Sequence, residues 1–353
     1  MTDRPDAGGP GALAEAFEAE RGYLRSVAYR ILGSVTDAED IVQDAWLRLA
    51  RTDPAAIEDL RGWLTVVVGR LCLDHLRSAR VRRETYVGPW LPEPLVGPSG
   101  PGGSAVAGVV AHTGRGRSGP AGGGGATGPV GEVTAVAAER ADPADRVTLA
   151  ESVSMAMLVV LESLSPAERT ALILHDVFGY GFEEVAEVTG RSPAASRQLA
   201  SRARRHVRER AVRFDPDPAQ RRGVADAFLA AAAGGDLAAL LRVLDPDVVL
   251  RSDGGGVVRA ALRPIDGADK VARFLHGLIE KGRRQYGAAV RFVPVEVNGG
   301  AGIATYVGPR LANVVALTVW RGLVTEIDVV VNPAKLRHLT QPPHGLTQPP
   351  HGG

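Results

Sequence analysis

A stretch of Gly, Ala, Pro and Ser between residues 97 and 131 divides this 353-residue chain. Large apolar side chains are almost absent there, so the stretch cannot bury enough surface to offset the entropy of ordering it. It predicts a flexible linker, which we place at residues 96–141. A chain of this length is expected to form two or three domains, and an apolar content of 45% is enough to build their cores.

The chain before this linker has the pattern of helices. From about residue 13 to residue 83, apolar residues recur at spacings of three and four, as along one face of an α-helix. The segment "TDAEDIVQDAWLRLAR" begins with Thr36 and has Glu39 three residues later, which is the pattern of a capping box. The segment "LRGWLTVVVGRLCLDHLRSARVRR" predicts a further helix. We assign residues 10–95 to one all-α domain.

A helix-turn-helix is predicted after the linker, within an all-α domain at residues 142–214. Ser165 followed by proline is typical of a helix start and opens "SPAERTALILHDVF" as one helix. A short helix follows, Gly190 makes the turn, and Ser192 caps a third helix over residues 193–210. Two helices joined by a short Gly-containing turn are the usual form of this DNA-binding motif.

Arginines dominate the last helix of this motif. Between residues 191 and 213 there are eight arginines and one acidic residue, and a run of one charge sign repels itself unless a negative partner is near. We predict a recognition helix in the DNA major groove, with a basic surface helix as the alternative. The residues expected to face bases are Ser192, Arg197, Gln198, Ser201 and Arg202. Arg205 and Arg208 are better placed for phosphates, and Ser196 stands where such helices usually bury an aliphatic residue.

The chain after residue 218 has a different pattern. Two helical stretches precede segments rich in β-branched residues, such as "VRFVPVEV" and "NVVALTVW". Helices followed by a run of strands predict an α+β domain with one curved antiparallel sheet, which we place at residues 219–338. The tail at residues 339–353 repeats "LTQPPHG" twice in tandem, and we expect it to be disordered.

Composition excludes several classes of protein. Cys72 is the sole cysteine, so an internal disulfide and a thiolate metal cluster are excluded, and a reducing compartment is indicated. The N-terminus is acidic where a signal peptide would be basic and then apolar. No apolar run approaches the roughly 20 residues of a membrane helix. We predict a cytoplasmic protein with no membrane partner, no metal site and no cofactor.

The two helical blocks together resemble a known family. "YLRSVAYRILGSVTDAEDIVQDAWLRL" with "LRGWLTVVVGRLCLDHLRSARVRRE" resembles region 2 of extracytoplasmic-function (ECF) sigma factors, and "LSPAERTALILHDVFGYGFEEVAEVTGRSPAASRQLASRARRHVR" resembles their region 4. The resemblance implies a non-enzymatic protein that binds promoter DNA and core RNA polymerase, through the β′ clamp and the β flap. The residues implied to bind polymerase are Asp40, Gln43, Asp44 and Trp46. A helix-turn-helix regulator that acts without polymerase is the alternative.

Recognition of the −10 element is implied for the rest of region 2. Residues 51–59 match the loop that captures a base flipped out of the duplex, a step that needs a pocket for the base. The matching positions on the adjoining helix are Arg61, Trp63, Arg70, Asp74, Arg77, Arg80 and Arg82. Arg80 and Arg82 suit non-specific phosphate contacts, whereas Trp63 is equally compatible with core packing.

The last block resembles the SnoaL-like, NTF2-like fold, an α+β cone around a pocket, which some ECF sigma factors carry as an extension. Three motifs support this resemblance: "WLPEP" at residues 90–94, "DGGG" at residues 253–256 and "NPAKL" at residues 332–336. The residues expected to make regulatory contacts are Trp90, Pro92, Asp253, Asn332, Pro333 and Lys335. The group usually has Lys after DGGG and Asp after NP, where this chain has Val257 and Ala334.

The sequence leaves three roles open for this domain. It could be a built-in regulator that packs on the sigma domains, because a tether gives an effective concentration of the order of ~1 mM. It could sense an unidentified small ligand in a pocket lined by Phe228, Phe274, Tyr306 and Trp320, although we favour the alternative that these residues fill the core. It could also be an enzyme with Asp253 and His276 as acid and base, which requires both groups to point into one cavity.

Overall fold

The structure, a computed structural model, describes residues 10–53, 56–84, 86–98, 153–210 and 217–340. The predicted linker beyond residue 98 and the repeat tail beyond residue 340 lie outside the described residues, as do the side chains of Arg80 and Arg82. Within these ranges, none of the helices combines the length and the hydropathy that crossing a bilayer requires.

The N-terminal helical domain consists of α1 (Pro10–Leu32), α2 (Val35–Leu49) and α3 (Leu60–Glu84). The predicted capping box at Thr36 is wrong, because α2 begins at Val35, two residues before the start that a cap at Thr36 implies. Ser34 is its N-cap and accepts a hydrogen bond from the Asp37 amide at 3.0 Å. The Thr36 amide donates instead to the carboxylate of Glu93 at 3.1 Å. This partner lies far along the chain, so the local pattern could not reveal it.

The second helical domain consists of α4 (Met155–Leu161), α5 (Pro166–Leu172), α6 (Phe182–Thr189) and α7 (Pro193–Glu209). The predicted caps are confirmed, since Ser165 forms a capping box at α5 and Ser192 caps α7. Gly190 has the left-handed conformation that the turn needs, with a φ of 66°. The helix that opens at Ser165 is not uniform: it ends in a π-helical turn at Ile173–Val177, because the Phe178 amide bonds to the carbonyl five residues back.

The two helical domains share one hydrophobic core. Buried side chains of the N-terminal domain, among them Leu24 and Val68, form a continuous cluster with Leu174 and Val188 of the second domain. Gly69 allows this approach, since a Cβ atom there would lie 2.8 Å from Cγ1 of Val188. The domains therefore pack on each other with α3 against α6.

The C-terminal domain contains, within the described residues, four helices and six strands. The helices are α8 (Pro218–Gly234), α9 (Leu237–Val243), α10 (Ala268–Tyr286) and α11 (Pro333–Thr340), and the strands are β2 (Leu244–Asp253), β3 (Ile265–Asp266), β4 (Val290–Val297), β5 (Gly300–Val307), β6 (Arg310–Trp320) and β7 (Leu323–Val330). A strand from the segment after α3, β1 (Val96–Pro98), completes one sheet in the order β1-β4-β5-β6-β7-β2-β3.

Two features of this sheet correct the prediction. The sheet is mixed rather than antiparallel, because β2 pairs in parallel with β7 after the chain has passed through α10 and the β4–β6 meander. Residues 96–98, predicted as the start of the linker, form β1, in which Val96 pairs with Val297 in antiparallel register. A strand of three residues is too short to carry a periodic pattern.

The two faces of the sheet are covered by different parts of the chain. Helices α8, α9 and α10 pack on one face through a core that includes Phe228 and Ile327. On the opposite face, Leu91 and Met155 join Val314 in a separate core. The predicted α+β layering is confirmed, and the second face attaches the domain to the segment after α3 and to α4.

Candidate DNA-binding surfaces and interdomain contacts

The exposed side of α7 collects the residues predicted to face DNA. The exposed set is Ser192, Arg197, Gln198, Ser201, Arg202, Arg205 and Arg208. The helical period places the six within the helix on a face about 140° wide, while Leu199, Ala200 and Ala203 are buried on the other side. The four arginines of this face have no acidic partner within the described residues. Their charges are therefore available to a polyanion.

Arg204 differs from these neighbours because it already has a partner. Its guanidinium donates two hydrogen bonds to the Asp176 carboxylate, at 2.7 and 2.6 Å, and this hydrogen bonding raises the pKa of Arg204. Ser196, the residue that departs from the usual pattern, is buried with its hydroxyl 3.1 Å from that of Thr189. A pair of hydroxyl groups thus occupies the place of the expected apolar contact.

The residues predicted to contact the −10 element divide between two sides of α3. The helical period places four of them on one side: Trp63, Arg70, Asp74 and Arg77. Arg61 lies on the opposite side, where it pairs with Glu20 of α1 at 2.7 Å and lies 5.3 Å from the centroid of the Tyr23 ring. Arg61 is therefore held within the N-terminal domain.

The second helical domain covers part of α3. The Arg70 guanidinium donates to the backbone carbonyl of Glu187 in α6 at 3.1 Å and to its carboxylate at 3.2 Å. Trp63 is half-buried against the shared core. Asp74 and Arg77 are exposed and pair with each other at 3.1 Å. The structure thus leaves the C-terminal part of this face open and engages Arg70.

A chain of hydroxyl groups links the same two domains. The Tyr23 hydroxyl lies 2.7 Å from that of Tyr180, which donates to Thr65 Oγ1 at 2.8 Å. Thr65 donates in turn to the carbonyl of Arg61 at 2.8 Å. Burial raises the pKa of both tyrosines, so they are neutral and act as hydrogen-bonding groups.

The residues predicted to bind polymerase lie along α2. Asp40, Gln43 and Asp44 are exposed, and Trp46 is half-buried. The Trp46 ring packs on Phe17 of α1, with 5.1 Å between the ring centroids. Gln43 and Trp46 also line a surface groove of about 370 Å³ beside α1. An acidic surface next to such a groove offers charge complementarity to a basic protein partner.

Two of the residues expected to make regulatory contacts, Asp253 and Lys335, meet at one buried carboxylate. Asp253, at the end of β2, accepts hydrogen bonds from the Tyr86 hydroxyl at 2.5 Å and from the Leu91 amide at 2.8 Å. Lys335 pairs with Asp253 at 2.7 Å and donates to the Leu91 carbonyl. These contacts fix residues 86–98, which we call the strap, to the C-terminal domain.

Aromatic rings of the strap lie against Lys335. Its ammonium nitrogen is 3.8 Å from the centroid of the Trp90 ring and 5.3 Å from that of Tyr86, an arrangement that is stronger when desolvated. Trp90 is half-buried in this arrangement. Asn332 donates to the Tyr86 hydroxyl at 3.0 Å, whereas Pro333 lies exposed at the first residue of α11.

The strap also contacts the N-terminus of α2. Pro92 and Glu93 are buried, and the Glu93 carboxylate accepts hydrogen bonds from the amides of Val35 and Thr36 at 2.8 and 3.1 Å and from the Ser34 hydroxyl at 3.0 Å. An α-helix leaves its first four amides without internal partners, and its dipole favours negative charge there. Glu93 therefore ties the strap to the helix that carries the predicted polymerase-binding residues.

The far end of the strap is tied to the sheet and to α11. The Leu95 amide donates to Asn298 Oδ1 at 3.1 Å, and Asn298 Nδ2 donates to the Tyr29 hydroxyl at 2.7 Å. Nε2 of His338 lies 2.9 Å from the carbonyl oxygen of Pro94. Because a carbonyl only accepts, this nitrogen carries the proton. The strap is thus held along its length by both the C-terminal and the N-terminal domain.

Two segments of the chain match known families. Residues 16–82 match Sigma-70 region 2, and residues 154–207 match Sigma-70 region 4. The ECF RNA polymerase sigma factor SigJ of Mycobacterium tuberculosis is 41% identical over 329 residues, which cover 90% of this chain and 91% of that protein. This chain belongs to the ECF RNA polymerase sigma factors.

Other relatives cover the C-terminal extension of this sigma factor as well. The probable ECF RNA polymerase sigma factor SigI of M. tuberculosis is 36% identical over 325 residues, or 92% of this chain and 94% of SigI. The crystal structure of M. tuberculosis SigJ matches with a TM-score of 0.62 and 38% identity, covering 92% of this chain and 98% of the other.

These findings confirm the predicted fold and family. The chain has a region 2 and a region 4, both all-α, followed by an α+β domain that the structure of SigJ also covers. As an ECF sigma factor, it acts with core RNA polymerase in promoter-specific initiation of transcription.

A buried arginine lies where the strap, region 2 and region 4 of this sigma factor meet. Arg169 of α5 is 2% exposed and pairs with Glu162. A Cβ atom at Gly33 would lie 3.2 Å from Nη2 of Arg169 and 3.3 Å from the Trp90 ring. Burial lowers the pKa of Arg169 to about 9, so it is charged at neutral pH. Removing its partner would leave an uncompensated buried charge.

The four aromatic residues considered as the lining of a ligand pocket do not share one. Phe228 and Phe274 pack in the core beneath α8, α9 and α10, whereas Tyr306 packs on the opposite face of the sheet. Trp320 lies at the end of β6, with the Arg321 guanidinium 5.6 Å from the centroid of its ring. These side chains fill cores or lie at the rim of the sheet.

Asp253 and His276 do not form an acid–base pair. Asp253 is fully buried within the strap contacts, while His276 lines a surface groove of about 530 Å³ on α10 together with Glu280 and Lys281. Within the described residues, no group of three or more His, Cys, Asp or Glu is arranged to hold a metal ion.

Sequence reasoning missed several residues that hold the strap in place, both within it and on the elements it contacts. They are Tyr29, Tyr86, Glu93, Asn298 and His338. The motif "WLPEP" contains Glu93, and an acidic residue between two prolines is a signal that could have been used. The others lie in no pattern that a single sequence reveals.

Proposed function

We propose that this sigma factor reads the −35 element with α7 and the −10 element with α3, and that the C-terminal domain controls access by holding region 2 against region 4. The observation that carries the proposal is the difference between the two helices. The face of α7 is open, whereas α3 is partly covered by α6.

The proposed −35 contacts follow from exposure and charge on α7. Ser192, Arg197, Gln198, Ser201 and Arg202 face bases in this proposal, because they lie toward the N-terminal half of the helix, which enters the groove in helix-turn-helix proteins. Arginine can make a bidentate contact to guanine. Arg205 and Arg208 bind phosphates, which fix the register without reading sequence.

The proposed −10 contacts require region 4 to move. Trp63, Arg70, Asp74 and Arg77 face the melted strand in this proposal, with Arg61 supporting the fold behind them and Arg80 and Arg82 on phosphates. A flipped base needs an open pocket, and Val188 and Glu187 of α6 lie against Gly69 and Arg70. We therefore assign the described arrangement to a closed, inactive state.

The proposed polymerase contacts lie on region 2 and region 4. Asp40, Gln43, Asp44 and Trp46 bind the β′ clamp, and region 4 binds the β flap. The exposed carboxylates of α2 and the adjoining groove support the first of these assignments. They also argue against a regulator that acts without polymerase, since such a protein has no need of this surface.

The C-terminal domain is proposed to act as a clamp between the two sigma regions. It binds the strap through Asp253 and Lys335, and the core on the same side of the sheet includes Met155 at the start of region 4. A single domain that contacts both regions opposes their separation. We favour this role over a sensor for a small ligand, because the aromatic residues predicted for a pocket pack on both faces of the sheet.

The experiment is run-off transcription with purified core polymerase and full-length variants. Asp253→Asn breaks the buried pair with Lys335, which costs about 3–5 kcal/mol, so the strap is released and the transcript yield rises. Asp269→Asn is the matched control, because the Asp269–Arg273 pair of α10 is exposed on both sides and worth about 0–1 kcal/mol. Its yield should equal that of the unmodified protein.

Hydrogen exchange of the strap amides reports whether the strap is released. Faster hydrogen exchange in Asp253→Asn with an unchanged transcript yield would show that the contact has no regulatory role. A lower yield would mean that the domain assists initiation. An absence of transcript from every variant, with DNA binding intact, would contradict the proposed polymerase contacts.

A further inference from the structure

Three side chains stack beside the proposed −35 surface. The ring of His175 lies 4.0 Å from that of Phe182, centroid to centroid, with 28° between their planes. The Arg197 guanidinium carbon lies over the Phe182 ring, 4.9 Å from its centroid. The nearly parallel His175 ring covers one face of the Phe182 ring. The Arg197 guanidinium therefore packs on the opposite face.

The stack joins three elements that are themselves fixed. His175 belongs to the π-helical turn, Phe182 is the first residue of α6, and Arg197 lies on α7. Nδ1 of His175 lies 2.8 Å from the carbonyl oxygen of Tyr180. Because a carbonyl only accepts, the imidazole donates this bond, and its ring orientation is set. Phe182 also packs against the shared core, so the ring under Arg197 has little freedom.

We propose that Phe182 is a positioning residue for −35 recognition, which orients the guanidinium of Arg197 toward the DNA bases. The proposal rests on the DNA-binding role of Arg197 given above. An exposed arginine has many rotamers, and ordering them on binding lowers affinity. A cation–π contact with Phe182 orders the planar group before DNA arrives. The same ring thereby contributes to sequence preference without touching a base.

Arg205 provides the internal contrast. It lies on the same face of α7 and is exposed, but within the part of the chain that the structure describes it has no aromatic ring beneath it. A phosphate contact tolerates a mobile side chain, because a point charge suffices. Loss of Phe182 should therefore affect what Arg197 does and leave what Arg205 does unchanged.

The test is a double-mutant cycle in the full-length protein, with binding measured on promoter duplexes that carry a matched or a scrambled −35 element. Phe182→Leu should lower the preference for the matched element about two- to fivefold, the size of an exposed cation–π contact. It should cause no further loss in an Arg197→Ala background. In an Arg205→Ala background, its effect should be undiminished.

Phe182→Tyr guards against a purely structural explanation. Tyrosine keeps the ring face, so it should restore the preference, while Leu and Met at this position should both lose it. Equal loss with Tyr, or additive loss of Phe182→Leu and Arg197→Ala, would overturn the positioning role. If Arg197→Ala itself leaves the preference unchanged, the proposed role of Arg197 is wrong instead, so the two failures are distinguishable.

Discussion

Helices α3 and α7 carry the two candidate DNA-binding surfaces of this sigma factor, and they differ in how far other parts of the chain cover them. On α7 the four arginines proposed to bind DNA are exposed and have no acidic partner in the described residues. On α3, Arg61 pairs with Glu20 and Arg70 pairs with Glu187. The residue types are alike, and the difference lies in what packs on them. Charge identifies a helix that can bind DNA, but packing decides whether it is available.

The contacts that cover α3 differ greatly in strength. The Arg70–Glu187 pair is about half exposed, and exposed pairs contribute about 0–1 kcal/mol. The apolar contact of Val188 at Gly69 belongs to a core that both regions share, and burial of one such side chain contributes about 1.5–3 kcal/mol. The closed arrangement should therefore depend on packing more than on ion pairs.

The largest effect is expected where the two regions approach most closely. Gly69→Leu inserts a side chain where a Cβ atom already lies 2.8 Å from Val188, and overpacking costs about 1–3 kcal/mol. Amides of α3 and α6 should then exchange faster, and α3 should become as accessible as α7. Gly277→Leu is the control, because nothing lies within 4 Å of a Cβ atom at that helical glycine. Unchanged exchange in Gly69→Leu would mean that the regions are not held together here.

The next effect sharpens the assignment of α7 itself. Arg197→Ala should lose about 1–3 kcal/mol of discrimination at one −35 base pair, the size of a bidentate base contact. Arg205→Ala should weaken binding to all sequences alike and reduce the slope of log K against log salt by about 1. Titrations at several salt concentrations separate the two. Equal effects on specificity would show that our division of the face into base and phosphate contacts is wrong.

A smaller effect is expected from the hydroxyl chain between the regions. Tyr180→Phe removes the link between Tyr23 and Thr65, and a hydrogen bond of this kind contributes about 0.5–1.5 kcal/mol. The separation of regions 2 and 4, followed by fluorescence energy transfer between labels on each, should increase slightly. Tyr306→Phe is the control, since it keeps the ring that faces Arg291. If the separation increased equally in the control, the hydroxyl chain would not be what holds the regions together.

The smallest expected effect concerns the contact between Arg70 and Glu187. Removing one side chain should raise the affinity for −10 DNA, and removing the other should lower it. Glu187→Ala removes the carboxylate 3.2 Å from the Arg70 guanidinium and leaves only the bond to the backbone carbonyl, which should raise affinity for single-stranded −10 DNA by less than about 1 kcal/mol. Arg70→Ala should lower that affinity, because it removes a proposed DNA contact. Fluorescence anisotropy with a −10 oligonucleotide measures both. A change of the same sign in the two variants would contradict competition between Glu187 and DNA.

Much of the helical architecture could be predicted from local patterns. Apolar spacing located α2, α3 and α5 to α7, and Ser165, Gly190 and Ser192 marked their ends because capping chemistry is local. The exposed face of α7 followed from the helical period once the helix was placed. Sequence reasoning therefore located the exposed face of α7 that we propose as the −35 surface.

The contacts that cover α3 and hold the strap could not be predicted in the same way. Glu93 caps a helix that begins more than fifty residues earlier, and Asp253 accepts a hydrogen bond from Leu91 across 162 residues. No spacing in one sequence encodes such pairs. The parallel pairing of β2 with β7 was missed for the same reason, since strand order is set by the packing of the whole domain. Motif resemblance named Asp253 and Lys335, but only the structure connects them to α2.

The most direct test of the closed state is a reversible cross-link between regions 2 and 4. Cysteines at positions 69 and 188 lie close enough to form a disulfide, given the 2.8 Å between a Cβ atom at Gly69 and Cγ1 of Val188. The natural Cys72 is fully buried, and burial raises the pKa of its thiol, so it should not compete. Run-off transcription would compare the oxidised and reduced double variant with Val188→Cys alone, which keeps Gly69. We predict no transcript from the cross-linked protein and recovery on reduction, whereas equal transcription by the cross-linked and reduced protein would contradict the account.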